Sequence, residues 1–494
     1  MSTTLTDLPA AGTAPRQSTP PTGQGQHQGQ HQGQRRDQTP GRLATAYRRQ
    51  GARRELRRDL LTVTGWSVVA GSVALFLADG GMTQFGTIGD AVTSLGIMAG
   101  LVATSLMCLM LLLTARVPII DQTLGQDRAT MVHATIGRGM VFGLLGHGVL
   151  LLLGYSFTGK ITPIATFTGL WADSTDFRWA VVATALLAVV GISSMVAIRR
   201  KYPYEAWFAI HLTTYAAIAA SLPHQFSMSG LFAEGKLERT FWIFLLCATA
   251  AAMLAFRVIL PIVSTFTHRL TVTAVTPAGP DAVSIEMTGR KLDTLGGRGG
   301  QWLTWRFLTS TLALQPHPFS LSAEPTDRTM RITVRNLGAG TARLQHLRPG
   351  TKVAVEGPYG MFTDAARTRD KVVFVGAGIG IAPIRALLES TDFAPGDAVV
   401  ILRAHTAEEL YLLDEIRTLC AQRGAGLHLL VGPRAWDSWV STSYAGAHLT
   451  DFAPWVREAD VFVCGPNAWM DAVLANAQAC GIPAVQVHDE RFTW

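Results

Sequence analysis

Charged residues are scarce in this chain. Asp, Glu, Lys and Arg make up 16% of its 494 residues, and hydrophobic residues make up 48%. A soluble globular domain carries about a quarter charged residues, so the whole chain does not read as one. The apolar excess lies in the first half, which points to an integral membrane portion followed by a soluble one. Cysteine is also sparse. Cys108, Cys247, Cys420, Cys464 and Cys480 form no CxxC pair and no even framework, so neither an iron–sulfur cluster nor a disulfide scaffold is suggested. No apolar stretch follows the start, and no cleavable signal peptide is expected. The 42 basic and 35 acidic residues leave a net charge of +7. Much of that excess abuts apolar segments, so it does not indicate nucleic acid.

Length suggests about three domains. Residues 1 to about 55 are rich in Thr, Pro, Gln and Gly, with a GQGQHQGQHQGQ repeat that carries His27 and His31. Such a composition builds no core and predicts a disordered tail. The run RRQGARRELRR then meets the first apolar segment. Six spans are expected, near 60–78, 91–115, 129–153, 178–198, 204–222 and 241–261, each close to the ~20 residues that cross a bilayer. Arg48 to Arg58, Arg116, Arg128 and Arg199-Arg200-Lys201 fall on one side, with Lys160, Lys236 and Arg239 on the other. Positive residues favour the inside, so both termini are expected in the cytoplasm of a multi-pass protein of the cell membrane.

Two of these segments are matched. ATMVHATIGRGMVFGLLGHGVLLLLGY holds His133 and His147, and YEAWFAIHLTTYAAIAASLPHQF holds His211 and His224. Thirteen or fourteen helical residues rise roughly 20 Å. With both helices running outward, His133 and His211 share an inner tier, and His147 and His224 an outer one. A lone intramembrane histidine is commonly a hydrogen-bonded packing residue. Four in two matching tiers suggest function, and two bis-histidine haems are the natural candidate. Gly137, Gly139, Gly143, Gly146 and Gly148 permit close approach by a helix or a flat macrocycle. A thirteen-residue step does not return to the same helix face, and Pro223 is expected to kink or end the second helix. Arg138 suits either a haem propionate or an ordinary partner such as a carboxylate or a helix end.

From about 268 the pattern changes. RLTVTAV, AVSIEMT, QWLTWRF, TMRITVR and TKVAVEG read as short strands of a small antiparallel barrel, with HPFSLS inside it. LGAGT places Gly338, Gly340 and Thr341 at a helix start, where backbone N–H groups hold phosphate, although glycine-rich turns are common. From about 370, KVVFVGAGIGIAPIRALLES reads as strand, glycine loop and helix. Gly376, Gly378 and Gly380 permit close backbone approach, and Pro383 is tolerated in a first helical turn. AVVILRA, GLHLLVG and DVFVCG complete a parallel doubly wound sheet.

These motifs, in this order, resemble the ferric reductase-like transmembrane and NADPH oxidase family, in which a six-helix haem domain is fused to a ferredoxin–NADP reductase-type module. The resemblance covers about residues 60–494. It rests on the two histidine pairs and RRKYPYEAWFAIH, on HPFS, LGAGT and EGPYG, and on GAGIGIAP, CGP and the aromatic C-terminus. It implies a tail over 1–55, a haem domain over 56–265, an FAD-binding barrel over 266–366 and an NAD(P)-binding domain over 367–494. It implies His133, His147, His211 and His224 as haem ligands, and His317, Pro318, Phe319 and Ser320 at the flavin and its ribityl arm. Gly338, Gly340 and Thr341 are implied at the FAD pyrophosphate, with Arg335 also in the cofactor set. Gly376, Gly378, Gly380, Pro383, Gly465 and Pro466 are implied at the nicotinamide dinucleotide.

By the same resemblance Cys464 lies near the nicotinamide, or is simply a buried small residue, and Phe492 or Trp494 covers the flavin. Arg403 and Arg434 suit a ribose phosphate, which favours NADPH over NADH, or are surface arginines. The implied activity moves electrons from cytoplasmic NAD(P)H through FAD and two b-type haems to oxygen or a ferric chelate. The alternative is a haem and flavin electron donor to a protein partner.

Overall fold

The computed structural model describes residues 42–199, 201, 204–227, 237–313 and 315–491. Phe492 and Trp494 lie outside the described residues, as does the tail with His27 and His31. The first half is helical. α1 (Arg42–Ala78) leads to α2 (Ile88–Thr114), and the short α3 (Pro118–Leu124) precedes α4 (Gln126–Gly159). α5 (Pro163–Asp173), α6 (Thr175–Ser193), α7 (Val196–Arg199) and α8 (Tyr204–Ser227) follow. α9 (Leu237–Leu254) continues through a π-helical turn (Ala255–Ile259) into α10 (Leu260–His268). Local chemistry fixes several starts. Thr87 accepts the Asp90 N–H at 3.2 Å and Ser174 accepts the Phe177 N–H at 3.1 Å, each supplying a partner that a first helical turn lacks. Pro118 and Pro163 stand at first positions, where the missing donor costs nothing.

Among the described residues, five stretches are long and apolar enough to cross a bilayer: Ala52–Ala78, Ile88–Thr114, Arg128–Gly159, Thr175–Ser193 and Leu237–His268. Their outward faces carry large apolar side chains, with Phe142 74% and Phe244 72% exposed. Surfaces of that kind suit hydrocarbon rather than water. The segment expected as a further span over 204–222 lies in α8. It is helical, but His211, His224, Thr213, Thr214 and Gln225 dilute its apolarity, so composition and length give five spans where six were expected.

Small residues set the distance between α2 and α4, which pack along their shared length. A Cβ on Gly154 would fall 2.8 Å from the Thr93 nitrogen, and one on Gly96 3.0 Å from the Leu151 nitrogen. Farther along, Ala103, Met107 and Met140 share one buried cluster. Between helices in lipid, close packing replaces the hydrophobic drive. α6 packs likewise against α8, whereas α4 and α8 are not closely packed against each other among the described residues.

Beyond α10 the chain forms β1 (Leu270–Pro277), β2 (Ala282–Thr288), β3 (Trp302–Phe307), β4 (His317–Ser320), β5 (Thr329–Arg335), α11 (Ala339–Leu344) and β6 (Lys352–Tyr359). These strands make an antiparallel sheet in the order β4-β3-β6-β1-β2-β5. Its two edges meet through a single bridge, Leu321 with Ile332, where a barrel was expected. Ile285, Trp305, Phe307 and Ile332 are fully buried inside it.

The last part comprises β7 (Lys371–Ala377), α12 (Ile381–Ser390), β8 (Ala398–Ala404), α13 (Leu413–Arg423), β9 (Gly426–Val431), α14 (Leu449–Phe452), β10 (Ala459–Cys464), α15 (Asn467–Ala479) and β11 (Val487–Glu490). The sheet is parallel, in the order β11-β10-β7-β8-β9. Val372 to Val375 are fully buried, as strands covered on both faces must be. The sheet grows in opposite directions from the β7–β10 pair. Open α/β sheets bind ligands at the carboxyl ends of such a switch point.

Overpacking tests the helix contact. Gly154→Val is expected to lower stability by about 1–3 kcal/mol, read as a lower thermal midpoint in detergent. Gly71→Val, where a Cβ meets nothing within 4 Å, is the control and should leave the midpoint unchanged.

Candidate functional site

The four histidines form two pairs. His133 on α4 faces His211 on α8 with ring centroids 6.2 Å apart, and His147 faces His224 at the same 6.2 Å. Pro223 does not end α8, which continues to Ser227. It does remove the donor that would bond the Ala219 carbonyl, loosening the turn that carries His224. Halfway between the tiers, Met140 and Ile218 belong to one apolar cluster. Thus α4 and α8 stand apart with two imidazole pairs across the gap.

Helix α2 orients the α4 imidazoles. His147 Nδ1 lies 2.8 Å from the Gly96 carbonyl, and His133 Nδ1 lies 3.3 Å from the Met110 carbonyl. A carbonyl only accepts, so each Nδ1 must donate. That tautomer leaves the Nε2 lone pair free, the form in which histidine binds a metal. Gly100 makes room for the ring, since a Cβ there would lie 2.5 Å from His147 Nδ1. On α8, His211 stacks on Trp207 with centroids 5.0 Å apart. Two metal–imidazole bonds of about 2 Å, each extended by roughly 1 Å from nitrogen to ring centre, sum to about 6 Å. The observed separation matches two imidazoles on opposite sides of one metal ion. Among the described residues no group of three or more His, Cys, Asp or Glu converges on a metal position, so each tier offers two protein ligands. Arg138 is exposed on α4.

In the antiparallel sheet, β4 carries HPFS. His317 Nε2 and Ser320 Oγ are buried with no hydrogen-bond partner among the described residues, and a buried polar atom in that state calls for an explanation such as a ligand. Burial lowers the His317 pKa, so the ring is neutral. His317 and Phe319 are stacked with centroids 5.9 Å apart, and Pro318 lies between them opposite Thr304. A Cβ on Gly340 would lie 3.8 Å from His317 Cε1, so the HPFS and LGAGT motifs meet. Gly338 has open space beside it. Thr341 Oγ1 accepts the Leu337 N–H at 2.8 Å and donates to the Gly338 carbonyl at 3.0 Å, closing the loop on itself. Arg335 is paired with Asp281 at 2.7 Å, and Asp281 also accepts from Tyr411 at 2.6 Å.

The glycines after β7 differ in purpose. Gly378 has φ 55° and open space, so its amide is accessible. Gly376 and Gly380 are packed: a Cβ on Gly376 would lie 3.2 Å from Ile384, and one on Gly380 2.7 Å from the Gly465 nitrogen. Gly465 in turn is pressed against Trp469. Pro383 is buried in the first turn of α12, and Pro466 caps α15. Cys464 ends β10 fully buried, and burial with the nearby Glu490 and Asp489 charges pushes its thiol well above the usual range. It is therefore a neutral thiol at the switch point. Arg403 is the last residue but one of β8 and reaches the Gly432 carbonyl at 3.4 Å. Burial and the nearby Arg434 charge lower its pKa, so the two cations lie close together.

Glu356 and Tyr359 of EGPYG face the helical half. Glu356 Oε1 lies 2.8 Å from Arg257 Nη1 and 3.6 Å from Arg116 Nε. The sequence carried a signal for this. Arg257 is a charge inside an apolar span, and such residues seldom lack a partner.

Residues 99–222 match the family described as ferric reductase like transmembrane component, a stretch that includes His133, His147 and His211. The chain is 28% identical over 230 residues to the ferredoxin reductase component of 3-ketosteroid-9-alpha-monooxygenase from Rhodococcus rhodochrous, covering 45% of this chain and 64% of that protein. It is 27% identical over 208 residues to a flavohemoprotein of Xylella fastidiosa, covering 40% and 51%. Among solved structures it is similar to the flavohem-like FAD/NAD binding domain of nitric oxide dioxygenase from Vibrio cholerae, with 20% identity, a TM-score of 0.36 and coverage of 46% and 99%. The chain thus spans 64% and 51% of the length of these curated relatives. The helical half with its five apolar spans thus holds a stretch that matches a ferric reductase-like transmembrane component, and the two sheet domains that follow are similar in sequence to ferredoxin reductase components.

Asp121 on α3 sits beside the Glu356 cluster. Both its carboxylate oxygens are buried with no hydrogen-bond partner among the described residues. Burial raises its pKa from 3.8 to about 6, with Arg116 opposing. A raised folded-state pKa gives stability that is complete below the unfolded value and is lost as pH rises through the folded one. Asp121→Asn is therefore expected to flatten the fall in thermal midpoint between pH 4.5 and pH 8, by an amount on the order of 2 kcal/mol. Parallel pH–stability curves for variant and parent would show that the carboxyl is not strained.

Proposed function

We propose that the protein is a membrane oxidoreductase that passes electrons from NAD(P)H through FAD and two bis-histidine b-type haems to oxygen or a ferric chelate across the bilayer. The observation that carries this is the pair of imidazole tiers, each at 6.2 Å, between helices that are otherwise apart. A porphyrin supplies four iron ligands, and two protein histidines complete the set. When bound, FAD takes two electrons as hydride and releases them singly, and haem iron carries one at a time.

The chain's own residues do the rest. His133 and His211 hold the inner iron, and His147 and His224 the outer one, with Gly96 and Met110 fixing the α4 tautomers. In this assignment α8 is the sixth span, and both termini lie on the cytoplasmic side of the cell membrane. The haem domain runs over 56–265, the FAD domain over 266–366 and the nucleotide domain over 367–494. His317 and Ser320 face the flavin, Gly338 and Gly340 face its pyrophosphate, and Gly378 offers its amide to the dinucleotide. Arg403 and Arg434 together favour NADPH, because a ribose phosphate needs paired cations. Cys464, protonated and buried, lines the nicotinamide position without acting as a nucleophile.

Purified protein reduced with dithionite should show low-spin b-type haem, about two per chain. His133→Leu and His147→Leu should each remove about one, and Gly100→Val should act like His147→Leu by displacing its ring. Full haem content in both histidine variants would refute the ligand assignment. In vesicles, superoxide-dismutase-sensitive dye reduction marks oxygen as acceptor, and direct ferric-chelate reduction marks iron.

A further inference from the structure

Two irregular pieces of backbone bring arginines to one carboxylate. Arg116 follows α2 with φ 63°, a conformation uncommon for a residue with a side chain. Arg257 lies in the π-helical turn of the last membrane helix, and such turns recur at functional positions. Both reach Glu356 on β6, at 3.6 Å and 2.8 Å. Arg306 on β3 approaches the other oxygen at 3.8 Å. Tyr359 donates its hydroxyl to Glu356 at 3.0 Å, and the Arg116 guanidinium covers the Tyr359 ring at 4.0 Å. Glu356 is only 7% exposed.

α10 continues into β1, packs along β6, and meets Arg290 through His268 at 2.8 and 3.1 Å. Linked domains move relative to each other unless a large apolar interface prevents it. Here the halves enclose a cavity of about 1010 Å³, with Arg54, Arg116, Asp121, Glu356 and Tyr359 in its wall. None of His317, Ser320, Gly338 or Thr341 lines it, so it is separate from the flavin cradle. Beside an open cavity, the charge cluster adds a polar point of attachment to the packing of α10 on β6.

We propose that Arg257, Arg116 and Glu356 form a clamp that positions the flavin sheet against the membrane helices and so sets the rate of electron passage to the inner histidine tier. The clamp rests on the electron route proposed above. Per turnover, NAD(P)H is oxidised, two ferric irons become ferrous in one-electron steps, and a proton is released on the flavin side. The three side chains touch neither the reacting atoms nor the nucleotide. They are positioning residues, and they act because the rate of electron passage falls steeply as donor and acceptor move apart.

The test uses the full chain loaded with FAD and haem, mixed anaerobically with NADPH in a stopped-flow instrument. Haem reduction is followed beside ferricyanide reduction, which takes electrons directly from the flavin. Arg257→Ala and Arg116→Ala should each slow haem reduction severalfold and leave ferricyanide reduction close to the parent rate. Arg257→Lys, which retains the charge, should recover much of the haem rate. Parental haem rates in both alanine variants would overturn the clamp, as would equal losses in the haem and ferricyanide assays. If the parent protein itself reduces ferricyanide but not haem, the electron route fails and the clamp with it. A parent that reduces haem beside unaltered variants removes the clamp alone.

Discussion

The membrane half depends on how near α2 comes to α4. The Gly96 carbonyl can hold the His147 Nδ1 proton at 2.8 Å only because Gly100 has no side chain in the way. That one approach fixes the distance between two helices, the tautomer of an imidazole and the direction of its free lone pair. It also places α4 against α2 rather than against α8, which meets the α2–α4 cluster through Ile218. An orienting partner of this kind shapes a ligand as strongly as the metal does.

The soluble half is joined differently. Arg331 meets Glu415 with two bonds, at 2.8 and 3.0 Å, and Arg385 meets the same carboxylate at 2.8 Å. Asp281 ties β5, through Arg335, to Tyr411 beside α13. Flavin and nucleotide units are thus held by several partly buried charge pairs, with bidentate geometry where it counts. Attachment to the membrane helices runs through the Glu356 cluster and through α10, which packs along β6 and exchanges hydrogen bonds with Arg290 through His268.

Much of this was legible in the residues because it is written in local pattern. The strand segments AVSIEMT, TMRITVR and AVVILRA carry alternation or β-branched runs, and they are strands with those bounds. The histidine tiers follow from spacing along two helices, and the structure brings His133 to His211 and His147 to His224. Long-range matters were hidden. Nothing local tells that the glutamate of EGPYG turns to an arginine 99 residues earlier, or that Gly376 and Gly380 are glycines for packing and Gly378 alone for exposure. Of the six expected spans only the fifth, in α8, falls short of the others, because the polar residues that give α8 its interest also lower its apolarity.

The cluster between the two tiers has an electrical meaning. Ala103, Met107, Met140 and Ile218 present no hydroxyl, amide or charge, so this contact itself gives a proton nothing to hop along. On the electron route proposed above, a charge crossing between the tiers without a proton would load the bilayer like a capacitor, and turnover would then depend on some separate conductance to discharge it.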